Sequence, residues 1–136
     1  MSDIIYKDTK DFNPQELQEL FLSVEWSSGH FPDKLVIAMK NSDSVFTAWD
    51  NDKLIGLINV LDDSIMTAYV HYLLVNPEYQ GQGTGKELLR LVKEKYKKYL
   101  RIVLIAHDTA IKFYENSGFK ICDKKTPAME ITELWT

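Results

Sequence analysis

Gly81, Gly83 and Gly85 stand at alternate positions in the stretch Leu73-Leu74-Val75-Asn76-Pro77-Glu78-Tyr79-Gln80-Gly81-Gln82-Gly83-Thr84-Gly85-Lys86. An apolar strand end runs into a proline-marked turn, then into the glycines, then into a segment with helical periodicity. Bare backbone N–H groups at a helix N-terminus bind anions, because the amides lack acceptors and the helix dipole favours negative charge there. A missing Cβ lets a ligand settle onto the backbone itself. Lys86, in the first helical turn, is poorly placed unless an anion offsets the dipole. The chemistry predicted for the stretch is a phosphate cradle.

Spacing decides against two such cradles. A dinucleotide fingerprint needs Gly-x-Gly-x-x-Gly, but the third residue after Gly83 is Lys86, and the fingerprint opens the first βα unit with an acidic residue about twenty positions on. A Walker-type loop needs glycine five residues before Gly85 and Ser or Thr after the lysine; Gln80 and Glu87 hold those positions. A closely packed helix start would use the same glycines, and another phosphate ligand such as a nucleotide stays open at this point.

The elements that position the stretch are legible in order. Ile4, Ile5 and Tyr6 make a first strand. Asn13-Pro14-Gln15-Glu16 starts a helix with a capping box, and Leu17, Leu20, Phe21 and Val24 give it one apolar face up to about Glu25 or Trp26. Pro32-Asp33 opens a second helix through Met39. Val45 to Trp49 and Leu54 to Leu61 form a hairpin, and Ile65 to Val75 is the longest strand, delivering the cradle at its C-terminal end. The next helix buries Gly85, Leu88, Leu89, Val92 and Tyr96. Arg101 to Ala106 reads as a central strand covered on both faces, and Asp108 caps a helix from Thr109 to Ser117 with Gly118 ending it. Ile121 and Ala128 to Leu134 supply two last strands around Pro127. The order β-α-α-β-β-β-α-β-α-β-β describes a single α/β (α+β) domain over residues 1–136. It has a mixed central sheet with helices on both faces and is not doubly wound.

Composition narrows the function. At 136 residues and 45% hydrophobic content, one domain has chain enough for a real core. A formal charge of -4 and a sequence pI near 5.3 argue against general nucleic-acid binding. Lys93, Lys95, Lys97, Lys98 and Arg101 read as a solvated helix end. The single Cys122 excludes an internal disulfide and, with no signal-like start and no apolar run of about 18 residues, leads to the expectation of a cytoplasmic protein off the membrane. His30, His71, His107 and Cys122 are scattered without metal-ligand spacing, and no Gly-x-Ser-x-Gly elbow occurs, so neither a metal nor an acyl-enzyme is expected.

Two blocks then agree. Val75-x-Pro77-x-x-Gln80-x-x-Gly83-x-Gly85 at a strand–helix junction resembles the acetyl-CoA-binding motif of the GNAT-type N-acetyltransferase superfamily, (Arg or Gln)-x-x-Gly-x-(Gly or Ala) after a Val-x-Pro turn. Ala110-x-x-Phe113-Tyr114-x-x-x-Gly118-Phe119 is similar to a later helix of the same superfamily. Together they cover residues 73–119 in the right order, and the element order extends the resemblance over the chain.

The resemblance implies acetyl-CoA as acyl donor. The backbone of Gly81, Gln82, Gly83, Thr84, Gly85 and Lys86 would donate to its pyrophosphate, with Gln80 part of the motif. Leu73, Leu74 and Val75 would splay from the next strand and pair with the pantetheine arm, the Val75 amide holding the thioester carbonyl. Tyr114 would protonate the departing thiolate beside Phe113, help of a kind worth about 10²–10⁴ in rate, although Ala110, Phe113, Tyr114 and Ser117 equally form a core stripe. His107 stands where the family often has Asn touching pantetheine; it is either a different donor or a helix cap. His71 is a candidate base, on the same face as Leu73 if the strand is regular, with Glu25, Asp62, Asp63 and ordered water as rivals. Trp26, His30 and Phe31 fall where relatives line the acceptor pocket, and serve as core equally well. The activity implied is acetyl transfer to a primary amine of a small molecule or peptide terminus by direct attack. A non-catalytic acyl-CoA-binding or regulatory module on the same fold is the alternative. The last strand could pair across a homodimer, as in some relatives.

Overall fold

The computed structural model describes residues 3–133. Its first helix, α1 (Pro14–Ser23), begins as its sequence dictates: Asn13 Oδ1 accepts from the Glu16 N–H, Glu16 Oε2 accepts from the Asn13 N–H, and Pro14 sits at the first helical position. It follows strand β1 (Ile4–Asp8) and ends shorter than its periodicity suggests, because Glu25 turns the chain at φ 62° into a short 3₁₀ turn, Ser27–His30. Helix α2 (Pro32–Asn41) then leads into β2 (Ser44–Asp50) and β3 (Lys53–Asp62), joined by Asn51-Asp52 with Asn51 at φ 52°. Strand β4 (Thr67–Val75) starts two residues later than expected, since the Asp63 carboxylate gathers the N–H groups of Ile65, Met66 and Thr67 into a turn. Helix α3 (Thr84–Lys95), strand β5 (Arg101–Leu104) and helix α4 (Ile111–Asn116) complete the described elements.

The five strands lie in the order β1-β2-β3-β4-β5, antiparallel except for the parallel β4–β5 pair. Two cores form on the two faces. Leu17, Leu20 and Phe21 of α1 with Leu35 and Met39 of α2 cover Val45, Leu57, Tyr72 and Leu74. Leu88, Leu89 and Val92 of α3 cover Ala48, Ile58, Val60, Ala68, Val70 and Val75 on the other face. Each Val, Leu, Ile, Phe or Met among them contributes roughly 1.5–3 kcal/mol by burial, and the alternation of faces along the strands is what fixes their register.

Three expectations fail. Asp108 does not cap the last helix: Asp108–Ala110 form a 3₁₀ turn without a side-chain cap, and α4 begins only at Ile111. Strand β5 is an edge strand among the described residues, not a central one, and it ends at Leu104. Residues 119–133 form no strand, and Leu134 lies outside the described residues. Within that stretch Asp123 closes a turn, its side chain accepting from the Lys125 N–H and its carbonyl from the Thr126 N–H, and Pro127 has no N–H for a ladder. Strand propensity measures packing against neighbours, and Met129 (90% exposed) and Ile131 (105%) meet none.

Candidate active site

The cradle is built at the start of α3. Gly81 and Gly83 adopt φ +80° and +84°, the left-handed region, and a Cβ at either would point into open space. Gly83 is the cap residue and offers no side-chain oxygen. The first intrahelical bond runs from the Glu87 N–H to the Gly83 carbonyl, so the amides of Thr84, Gly85 and Lys86 have no acceptor within the helix. At Gly85 α3 packs beside α4 and β4: a Cβ there would meet Phe113 at 3.5 Å and a Val75 methyl at 3.7 Å, both ordinary van der Waals distances. Gln82 and Lys86 are exposed, and Thr84 is buried.

The strand feeding the cradle has one open edge. Strand β5 pairs with β4 only from Thr67 to Val70, leaving residues 71–75 without a neighbour on that side among the described residues. Backbone direction alternates along a strand. The Asn76 N–H bonds to the Ile55 carbonyl of β3, so residues 74 and 76 address β3, and residues 73 and 75 address the gap. Gln80 Nε2 donates to the Val75 carbonyl at 2.9 Å from that side, which ties the loop to the strand. The amides of Leu73 and Val75 therefore point into the opening, whereas Leu74 turns its backbone to β3 and buries its side chain.

Strand β4 is not regular. Asn59 pairs with Tyr72 but Val60 pairs with Val70, so His71 is an extra residue in a β-bulge. The bulge inverts the faces. Ala68 and Val70 below it face α3, whereas Tyr72 and Leu74 above it face α1 and α2. His71 consequently does not share a face with Leu73, which packs on the α3 side. The imidazole stacks on Tyr72, with centroids 4.0 Å apart and planes 18° apart, and together they line a cavity of about 460 Å³ against Lys34, Leu35, Ile37 and Ala38 of α2, with Thr132 completing the wall. The outer edge of His71 is open, but the neighbours that strip water from its stacked face lower its pKa from the ordinary 6.5.

Helix α4 brings its aromatics to the same end of the sheet. Phe113 touches the cradle at Gly85. Tyr114 packs edge-to-face between Phe113 and Phe119 and lines an apolar cavity of about 460 Å³ beside β5 with Ile102, Leu104 and Ile111. Burial raises its pKa above the ordinary 10.0, so the phenol holds its proton at neutral pH. The other candidates have contacts of their own. His107 is exposed, with Nδ1 3.1 Å from Asp108 Oδ1 and 3.3 Å from Thr109 Oγ1. Asp62 accepts from the Tyr96 hydroxyl and Asp63 holds its own turn, at the far end of β4, roughly 20 Å along the strand from Leu73. Glu25 is exposed. Trp26 packs into the core against Phe21 and Tyr72, at 6.1 and 5.7 Å between centroids, and does not line the cavity. Tyr72 and the outer face of α2 were not anticipated; the spacing of Lys34, Ile37 and Ala38 is the signal that could have found the latter. No cluster of metal-ligating side chains occurs among the described residues.

Comparison with known proteins agrees with this geometry. Residues 9–132 match the family model of the acetyltransferase (GNAT) domain. The chain is 30% identical over 123 residues to an uncharacterized ycf52-like N-acetyltransferase of Prochlorococcus marinus, covering 86% of this chain and 68% of that one. It is 29% identical over 76 residues to the peptidyl-lysine N-acetyltransferase YiaC of Escherichia coli, covering 55% of this chain and 49% of that one. The solved structure of a GNAT-family acetyltransferase from Streptococcus pneumoniae superposes with a TM-score of 0.81 at 25% identity, over 96% of this chain and 99% of that one. A family match that runs from the end of β1 past the last helix, on a chain of the same fold, leaves one assignment: this chain belongs to the GNAT acetyltransferases.

Proposed function

We propose that this chain transfers the acetyl group of acetyl-CoA to a primary amine by direct attack. The observation that carries the reading is the coincidence of two sets of unsatisfied amides, those of Thr84, Gly85 and Lys86 at a glycine-capped helix end and those of Leu73 and Val75 on the adjoining open strand edge. One set suits a pyrophosphate and the other an extended, amide-bearing arm, so the residues present fit CoA. When bound, acetyl-CoA supplies an activated acetyl thioester.

The chain's own groups take the remaining roles. The Val75 N–H would donate to the thioester carbonyl oxygen, where negative charge grows during attack. The Tyr114 hydroxyl, kept protonated by burial, would give its proton to the sulfur. His71, largely neutral at pH 7 because its pKa is lowered, would take the proton of the incoming ammonium from the cleft between β4 and α2. The acceptor is a primary amine of a small molecule or a peptide; the likeness to a peptidyl-lysine acetyltransferase makes lysine peptides the first to try.

Calorimetry with acetyl-CoA, followed by thiol release against polyamines, aryl amines, amino acids and lysine peptides, tests the reading. Binding with turnover on any of these supports it, binding without turnover transfers the chain to the non-catalytic alternative, and no binding ends both. Tyr114→Phe should lower kcat by about 10²–10⁴ and leave acetyl-CoA affinity in place. An unchanged kcat would remove Tyr114 from the chemistry.

A further inference from the structure

The bulge at His71 is held by a side chain from the neighbouring strand. Asn59, 1% exposed on β3, accepts the Tyr72 N–H on Oδ1 at 2.9 Å. Its Nδ2 donates to Ser42 Oγ at 3.1 Å, and Ser42 Oγ donates to the Ala38 carbonyl at 2.8 Å. Ala38 lies in the α2 wall of the cleft, and Tyr72 with His71 lies in the β4 wall. A buried relay thus joins the two walls. An amide at this depth is unfavourable unless its donors and acceptor are met, and a leucine would fill the site without that requirement.

The register shows what the bulge changes. Below it, the Asp63 N–H bonds to the Thr67 carbonyl, so residues 67 and 69 address β3 and residues 68 and 70 address β5. Continued without interruption, that alternation would aim the Leu74 amide into the gap and turn Leu73 and Val75 to β3. It would also carry Tyr72 onto the α3 face with Ala68 and Val70, away from His71. One extra residue reverses both outcomes.

We propose that Asn59 is a positioning residue, whose side chain holds the His71 bulge and thereby aims the Leu73 and Val75 amides into the gap and stacks Tyr72 on His71 in the cleft. The proposal rests on the acetyl-transfer reading only for its effect on rate. No part of the family motif reaches Asn59.

The test uses readouts that do not need turnover. In the wild-type chain without ligand, hydrogen exchange followed by NMR should find the Tyr72 and Leu74 amides protected and those of Leu73 and Val75 fast. A fast Leu74 amide beside slow Leu73 and Val75 amides would overturn the bulge and the proposal with it. Asn59→Leu should expose the Tyr72 amide to exchange and return the His71 titration toward its ordinary value. The groups facing that imidazole are Tyr69 and Tyr72 on β4 and Lys34 on α2, and Glu130 acts on Tyr69 from the C-terminal stretch. Ser42→Ala deletes both hydroxyl bonds of the same relay, from Asn59 Nδ2 and to the Ala38 carbonyl, without touching the Tyr72 amide, so it should lower stability yet leave His71 and kcat in place. For an amine that is turned over, Asn59→Leu should lower kcat roughly 100-fold, the scale of a misplacement near 1 Å. A His71 titration that Asn59→Leu leaves unmoved, or that Ser42→Ala moves as far, would reduce Asn59 to ordinary core. Loss of acetyl-CoA binding in the wild-type chain would sink the function and leave the exchange pattern standing. If Asn59→Leu does not fold, the wild-type exchange pattern decides.

Discussion

The N-termini of α1 and α3 face the same physical problem, a turn of amides with no carbonyl above them, and treat it differently. At α1 the chain answers its own amides, with Asn13 and Glu16 bonding reciprocally at 2.8 and 2.9 Å. The β3–β4 turn behaves like α1, since one Asp63 oxygen accepts from three successive amides. At α3 the cap is Gly83, and Lys86 sits in the first turn, where a cation opposes the dipole. A side-chain cap is worth about 1 kcal/mol against alanine but only about a few tenths against glycine, so α3 forgoes a small part of the stability that α1 takes. What the contrast teaches is where to look for function: amides that the chain satisfies by itself hold the fold, and amides left bare over left-handed glycines are the place to test for a ligand.

The most forceful way to break the contrast is to make α3 resemble α1. Gly83→Asp places a carboxylate at the cap in a conformation that Asp tolerates better than most residues. The carboxylate should take the amides that a pyrophosphate would use and repel it as well. Acetyl-CoA affinity should fall on the order of 100-fold, while the new cap bond offsets part of the strain at φ +84° and the thermal midpoint falls only slightly. A variant that binds acetyl-CoA as before would mean that the α3 amides are not the anion site. Gly83→Val answers less clearly, since a β-branched residue at φ +84° strains the loop whatever binds there.

The features legible in the sequence are those decided within a few residues. The Asn13 capping box, the apolar faces of α1 and α3, and the Gly118 stop of α4, where the Phe119 N–H returns to the Tyr114 carbonyl, all depend on local spacing. The glycine cradle belongs with them. What could not be read depends on partners far along the chain. The His71 bulge needs Asn59 on the neighbouring strand, so a regular alternation put His71 on the wrong face. The cleft wall needs α2 laid over β4, a long-range packing that local spacing does not reveal, so Lys34 and Ala38 are not legible as lining residues. The two last strands, expected at Ile121 and at Ala128 to Leu134, depend on a paired edge, and nothing in their residues says whether one is waiting. Gly85 stands between the classes: its spacing is local, but its packing neighbour, Phe113, is contributed by α4.

The reverse substitution sharpens the contrast at smaller scale. Asn13→Ala should strip the α1 cap and cost about 1 kcal/mol of stability in urea unfolding, with acetyl-CoA affinity unchanged. A loss of affinity in this variant would couple the two helix ends and blur the distinction between structural and ligand-ready amides.

The smallest effect concerns Asp63 and is visible only through pH. Its bonds from the Met66, Ile65 and Thr67 amides hold the carboxyl below the ordinary value of 3.8. A carboxyl whose pKa is depressed by folding adds stability that is fully present above the unfolded value and is lost as pH falls through the folded one. The group is exposed, so water and salt screen the charge and the effect stays small. Urea midpoints for the wild type and Asp63→Ala should therefore stand furthest apart at neutral pH and draw together below about pH 4. Asp63→Asn keeps an oxygen that can accept the turn amides, so it should fall between the two at neutral pH and flatten the acid limb. A separation that does not change between neutral and acid pH would assign the turn to geometry alone. In that case the three amides would need an acceptor but not a charge, and the resemblance between this turn and an anion site would end at hydrogen bonding.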